Sequence, residues 1–356
     1  MMQNIHQEIN FARAFYFLAF IFLVIYSLNS LSSILTPIAI AFFIWFLING
    51  LSNEIKKIPY INKRFLEFIA PFISLILIIY FMIKIGTFVT SSMMELSSVV
   101  YQLDSKINIV IDKIATLTSI DLKEPLQQFF QEFNMASMLN RIFIAFSLIL
   151  SNIMQIFLYV LFLLIDQQFF NSKLNALFKK QENKDRARSI LSSISKGIRT
   201  YIFITTLVSL ATGFLTFLIC QYFGLEGAVL WGFIAFILNF IPTIGTIIAV
   251  LIPTAFALIQ LSDLSMIFYL VVSLVIIQFV IGNIIHPRLM GNSLNISQFV
   301  VILSLVVWGA MWGTIGMFLA VPMMMILLII LSQFDSTKNL AILISKDGNI
   351  LRSNEN

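Results

Sequence analysis

The chain has 356 residues, 59% of them hydrophobic and 11% charged, where a soluble globular domain carries roughly 25% charged residues. That balance leaves no room for a separate soluble catalytic domain. The net charge of +5 does not signal nucleic acid either, because the basic residues sit in short loops beside apolar runs, where membrane orientation explains them. The chain reads as an all-α, polytopic membrane protein embedded in the lipid bilayer.

A hydrocarbon core of about 30 Å takes about 20 helical residues to cross. Eight apolar runs qualify as transmembrane or re-entrant segments: Phe15 to Leu31, Ile34 to Leu51, Phe68 to Val89, Ile142 to Ile165, Tyr201 to Phe223, Val229 to Gln260, Leu264 to Gly282 and Phe299 to Leu331. The first, preceded by Arg13, is longer than a signal-peptide core and lacks a small-residue cleavage site, so it is expected to stay as the first helix. Lys56, Lys57, Lys63 and Arg64 follow the second run, and the linker Gln167 to Thr200 holds eight basic residues, among them Lys179, Lys180, Arg186 and Arg188. The positive-inside rule places both loops in the cytoplasm.

Between the third and fourth runs, Thr90 to Arg141 carries Glu95, Asp104, Asp112, Asp121, Glu124 and Glu132 against four basic residues, and so belongs outside. Leu96, Val99, Val100, Leu103, Ile107, Val110, Ile111 and Ile114 recur at helical spacing there, as do Leu126, Phe129, Phe130 and Phe133. Two amphipathic helices parted near Pro125 are expected, resting on the membrane or bundle, or making a subunit contact in a homo-oligomer. The chain thus divides into three membrane helices (1–90), an external helical region (91–141), a transport core with interrupted helices (142–335) and a cytoplasmic tail (336–356).

Val229 to Gln260 and Phe299 to Leu331 span 32 and 33 residues, close to 50 Å each as straight helices at about 1.5 Å per residue. Both carry internal breaks: Asn239-Phe-Ile-Pro-Thr-Ile-Gly245 in one, and Gly309, Gly313, Gly316 and Pro322 in the other. Each is a tilted, kinked span or a hairpin that enters and leaves on one side. As hairpins they put Asp263 outside and His286 with Arg288 inside, which the positive-inside rule favours. A bilayer cannot satisfy backbone groups freed by Pro and Gly, so such breaks survive only where protein or a wet cavity covers them. Broken helices of this kind line secondary-transporter sites.

Enzyme chemistry is poorly supplied. His6 and His286 are the only histidines, with no Cys, Asp or Glu near them at ligand spacing, so no metal site and no cofactor is expected. No phosphate-binding Gly-rich loop or nucleophile motif appears. Cys220 stands alone in an apolar run and reads as packing. No apolar core contains a central carboxylate, though ion-coupled antiport usually needs an intramembrane ionisable group. Proton or sodium coupling through Glu226 or Asp166 stays open as an alternative. The polar residues near the breaks, Asn239, Thr243, Gln278, Asn283, His286 and Arg288, supply neutral donors and acceptors plus one fixed cation. They suit a small polar solute, either polyhydroxylated or weakly anionic, although polar side chains in membranes also hydrogen-bond across a bundle for structure alone.

The order and spacing of NFIPTIG (239–245), HPRLMGNSLNIS (286–297) and WGAMWGTIGMFLAVP (308–322) resemble the autoinducer-2 exporter family, the PerM-like permeases, most strongly from about Tyr201 to Leu328. The resemblance implies an eight-segment protein of the bacterial inner membrane, oligomeric, exporting the quorum-sensing signal autoinducer-2 or another small solute. Sodium/proton antiport is also assigned to members. The motif positions are Pro242, Gly245, His286, Pro287, Gly291, Gly313, Gly316 and Pro322, read as helix-break or hinge positions apart from His286. A non-transporting membrane scaffold is the third reading.

Overall fold

The computed structural model describes residues 15–56, 63–100, 144, 147 and 151–348, apart from 17, 21, 262 and 292–294. Every regular element among them is helical, with one antiparallel bridge between Ile296 and Ser345. An apolar helix, Leu18–Ser30, precedes α1 (Ser32–Ile55) and α2 (Lys63–Val100), and α3 (Ile153–Gln167) bends by 64° into α4 (Phe170–Leu177). Ser32–Ile55, Ile69–Phe88, Gln181–Tyr222, Leu264–Met290 and Gln298–Ser332 are each long and apolar enough to cross a membrane, and the bent pair makes a sixth candidate. The protein is a multi-pass, all-α membrane protein. α2 runs unbroken to Val100, past the end of its apolar run at Val89; the amphipathic helices expected beyond it lie outside the described residues.

The spine is α5 (Gln181–Tyr222), polar over 181–200 and apolar thereafter. It stops at Gly224, whose left-handed φ of 70° lets its own N–H reach the Gln221 carbonyl at 3.1 Å and the Leu225 N–H reach that of Cys220 at 2.8 Å. This pair of bonds satisfies carbonyls that a helix end otherwise strands. After Gly227 the chain re-enters as α6 (Ala228–Leu238), antiparallel to α5. Lipid offers no hydrophobic drive between helices, so close packing must hold them. Gly213 and Gly232 provide it: a Cβ on either would stand 2.6 Å from the other's carbonyl oxygen.

α6 and α7 (Ile244–Gln260) form a hairpin, not a long span. The Gln260 side chain returns to the turn where α6 began, accepting from the Glu226 N–H at 2.8 Å and donating to the Gly224 carbonyl at 2.9 Å. Midway along, the Trp231 and Phe256 rings pack 5.1 Å apart, both almost fully buried. At the tip, Gly245 lies so close beneath Leu238 that a Cβ would collide with the Leu238 carbonyl.

α8 (Leu264–Val280) then crosses to the other end of the spine, passes through a π-helical turn at Ile281–Ile285 and continues as α9 (His286–Met290). Pro287, expected to break the helix, does not do so. The wider π turn absorbs the ring and the missing N–H, and the helix ends only at Gly291, with φ 52°. Met290 packs with Ile194, Ile198 and Tyr201 of α5.

α10 (Gln298–Ser332) has the length of a span but reverses at Gly313, where φ 63° and ψ −145° leave the helical region. Its two arms close on each other: a Cβ on Gly316 would collide with the Trp308 carbonyl, and one on Gly309 would press on Met317. Leu305 of the first arm and Ala320 of the second share one core. The base closes as well, since α11 (Lys338–Ile344) packs on α10 and the Ser297 N–H donates to the Ile344 carbonyl at 2.9 Å. Pro322, also expected as a hinge, is buried inside the continuous second arm; in this hairpin the reversal belongs to Gly313 alone.

The two hairpins therefore enter from opposite ends of α5. The first is based at Tyr222–Glu226, the second beside Ile194–Ile202, about 35 Å away at 1.5 Å per residue. Their tips meet between, with the rings of Phe240 and Phe318 at 5.0 Å and Phe43 of α1 against Phe318 at 5.3 Å. Gly232→Ala is expected to force α5 and α6 apart and to cost about 1–3 kcal/mol, the usual penalty of overpacking, read as a lowered thermal unfolding midpoint in detergent. An unchanged midpoint would mean that the helices do not touch there.

Candidate functional site

The six expected polar residues fall into two groups. Asn239, Thr243 and Gln278 lie at the level of the tips, the first half-buried, the second exposed and the third buried. Asn239 ends α6 at the hairpin tip, its amide donating to the Ser209 hydroxyl of α5 at 2.9 Å. Thr243 caps α7 with φ 63°, a conformation that is an outlier for a β-branched residue and the kind of strain that gathers at functional sites. Its carbonyl accepts from the Thr246 hydroxyl at 2.8 Å. Gln278 is 8% exposed and stands fourteen residues into α8, about 21 Å from its start at 1.5 Å per residue. That depth matches the tip level.

Asn283, His286 and Arg288 do not join them. They follow the π turn toward the base of the second hairpin, Asn283 and Arg288 exposed and His286 half-buried with its Nε2 buried and without a hydrogen-bond partner. Pro287 and Gly291 accompany this outer group. Gly245, Gly313 and Gly316 belong to the tips, beside the deep group, and Pro242 is half-buried there.

Two features of the deep site escaped the sequence reading. The first is a row of hydroxyls on α5, Thr205, Ser209, Thr212 and Thr216, all buried and spaced at i, i+4, i+7 and i+11, which is one helix face. The spacing was visible in the sequence, yet hydroxyls within an apolar run pass for ordinary helix filler. The second is a repeat at the tips. Thr243-Ile-Gly-Thr-Ile-Ile-Ala-Val250 and Thr314-Ile-Gly-Met-Phe-Leu-Ala-Val321 share Thr, Ile, Gly, Ala and Val at equal offsets. In each, the glycine fits under the carbonyl of the opposing arm, Leu238 in one and Trp308 in the other. Related sequence thus builds both reversals, in hairpins that point at each other.

The electrostatics of the region are neutral. The apolar half of α5 and all of α6, α7, α8 and α10 lack Asp, Glu, Lys and Arg. The acidic residues once considered for coupling lie at helix ends: Asp166 is exposed and paired with Lys173 at 2.8 Å, and Glu226 is exposed in its turn. Asp263 caps α8, and hydrogen bonds from the Ser265 hydroxyl and N–H hold its carboxyl below the usual range. Its charge is therefore kept at neutral pH, and the cap would be lost only as pH falls through that lowered value.

A multi-pass helical protein with two opposed hairpins and an uncharged polar centre is built as membrane transporters are. The chain belongs to the AI-2E transporter family, whose model matches residues 15–335. It is 27% identical over 319 residues to TqsA of Escherichia coli K12, named an AI-2 transport protein, covering 88% of this chain and 90% of that one. A Haemophilus influenzae protein, assigned provisionally to transport by its name, is 33% identical over 224 residues, 62% of this chain and 64% of that one. A similarly named protein of Borreliella burgdorferi is 34% identical over 193 residues, 54% of this chain and 53% of that one. The matches thus span less than two-thirds of the length of these last two relatives.

With Cys220 replaced by serine, single cysteines at Glu226 and Arg288 are expected to react with impermeant thiol reagents from opposite faces of the membrane, Arg288 from the cytoplasmic one. Labelling of both from one face would rule out a crossing by α8 between the two hairpins.

Proposed function

We propose that the protein is a secondary exporter of the bacterial cytoplasmic membrane that carries a small polar solute, with autoinducer-2 as the leading candidate. The observation that supports this reading is the meeting of two hairpin tips, from opposite ends of one spine, beside the Asn239–Ser209 hydrogen bond. Each hairpin then serves as the gate of one side, and alternate withdrawal of the tips exposes the deep polar group first to one face and then to the other. The basic loops and the bacterial relatives support the cytoplasmic membrane; the solute is suggested by the name of TqsA and by the uncharged donors and acceptors.

The chemistry of binding is hydrogen bonding. At each tip one helix ends and another begins, so carbonyls and amides without intrahelical partners stand side by side. Together with the Asn239 amide and the α5 hydroxyls, they offer both donors and acceptors to a solute that must shed water to enter. Sodium/proton antiport, the alternative, needs an ionisable group along the path, and Asp166, Glu226 and Asp263 all stand at its ends.

Purified protein in liposomes loaded with synthetic autoinducer-2 is expected to accelerate its efflux. Asn239→Ala, which removes one hydrogen bond worth about 1 kcal/mol and so leaves folding intact, should cut the rate by about tenfold. Wild-type efflux that the variant leaves unchanged would overturn the assigned role of the tip. In everted vesicles, a sodium-dependent collapse of the pH gradient abolished by Glu226→Gln or Asp166→Asn would instead establish the antiporter.

A further inference from the structure

Hydroxyls in the membrane helices of this protein follow a habit. Ser74, Thr212 and Ser273 donate to the carbonyl one turn back, at Ala70, Val208 and Tyr269, at 2.7 to 2.9 Å. That bond costs nothing but a rotamer choice and removes a penalty of about 1–3 kcal/mol for a buried hydroxyl left without a partner. Among the described residues the buried hydroxyls of Ser52, Tyr201, Thr205, Thr216 and Thr254 break the habit, and of these Tyr201 and Thr205 neighbour each other. Both are 2% exposed, they stand one turn apart on α5 with their side chains adjacent, and neither hydroxyl makes a well-formed hydrogen bond.

Their position explains what such groups are for. One turn beyond Thr205 on the same face is Ser209, which receives the Asn239 amide from the first hairpin's tip. Tyr201 packs in one cluster with Val321 and Met325 of the second hairpin's inner arm. Tyr201 therefore stands at the inner end of the second hairpin's base, and Thr205 one turn closer to the first hairpin's tip. Thr216, the other unpartnered hydroxyl of the row, lies farther along α5, beyond the tight contact of Gly213 with Gly232 and beside the uncharged, wholly apolar α6.

We propose that Tyr201 and Thr205 form a solute-binding surface on α5, their hydroxyls completing the hydrogen bonds of an uncharged solute bearing hydroxyl or carbonyl groups. The inference rests on the exporter reading and adds to it two residues on a helix that neither gate contains. The binding surface then belongs to the fixed spine, and Asn239 is brought to it by the first hairpin.

Thiol accessibility tests this without reference to any solute. In the Cys220→Ser background in liposomes, Thr205→Cys is expected to react with 2-aminoethyl methanethiosulfonate at least tenfold faster than Thr216→Cys. Equal or slower reaction at 205 would show a dry packing position and overturn the proposal. Efflux of synthetic autoinducer-2 separates the two ideas: Tyr201→Phe and Thr205→Val, both close in shape to the native residues, should lower it at least tenfold, while Thr216→Val should not. Wild-type efflux left intact by Tyr201→Phe and Thr205→Val would refute the surface and leave the exporter standing. A wild-type protein that moves no autoinducer-2 would defeat that solute assignment, and the labelling rates alone would then decide for or against the surface.

Discussion

A polypeptide that turns back on itself at mid-depth in a bilayer has no water to satisfy the carbonyls and amides it frees, so the turn must be tight and covered by protein. Everything distinctive in this chain answers that constraint. Gly245 and Gly316 let the returning arm lie directly beneath the carbonyl of the arm that went in. Aromatic rings flank the tips, Phe240 on Phe318 and Phe318 on Phe43, while Thr243, Gly313 and Thr314 at the turns are exposed, and the Trp312 indole ties the second tip to the Leu28 carbonyl of the first apolar helix at 3.0 Å. A side chain as small as a methyl at either glycine would open the turn and expose its backbone to lipid.

The spine carries the opposite assignment. α5 keeps its backbone bonds intact over 42 residues and presents its hydroxyl face to the turns. Small residues on that face serve two ends at once: Gly213 allows the close approach of α6, and Ser209 adds one hydrogen bond to a tip whose Phe240 and Ile241 are already buried. The base is fixed by both polar atoms of Gln260 on the Gly224–Glu226 turn, and the tip by Phe240 against Phe318 together with the Asn239 amide on Ser209.

Much of this was legible in the sequence. Composition gave the membrane, and the long interrupted runs with their Gly and Pro content posed the choice between kinked span and hairpin that the fold resolves as hairpins. The sequence misled where local rules met a wider context. Pro287 and Pro322 looked like hinges because proline breaks an isolated helix; a π turn at Ile281–Ile285 and packing from neighbouring helices absorb them here. Asn283, His286 and Arg288 look like partners of Asn239 when read along the chain, but the helix carries them away from the tips. The hydroxyl face of α5 was hidden for the reverse reason. Its residues look unremarkable singly and gain meaning only when two of them prove to be buried without partners.

The neutrality of the centre follows from the hairpin itself. A lone half-helix ending at mid-depth presents about half an elementary charge, positive at an N-terminus and negative at a C-terminus. Within each hairpin tip here, a C-terminus and an N-terminus meet: α6 with α7, and the first arm of α10 with its second. The partial charges oppose each other across a few ångströms and largely cancel. Such a tip can sit in a region of low dielectric, and can shift within it, at little electrostatic cost. It also offers a bound ion nothing in return, which favours a solute recognised by hydrogen bonds over one recognised by charge, and accords with the absence of Asp, Glu, Lys and Arg from α6, α7, α8 and α10.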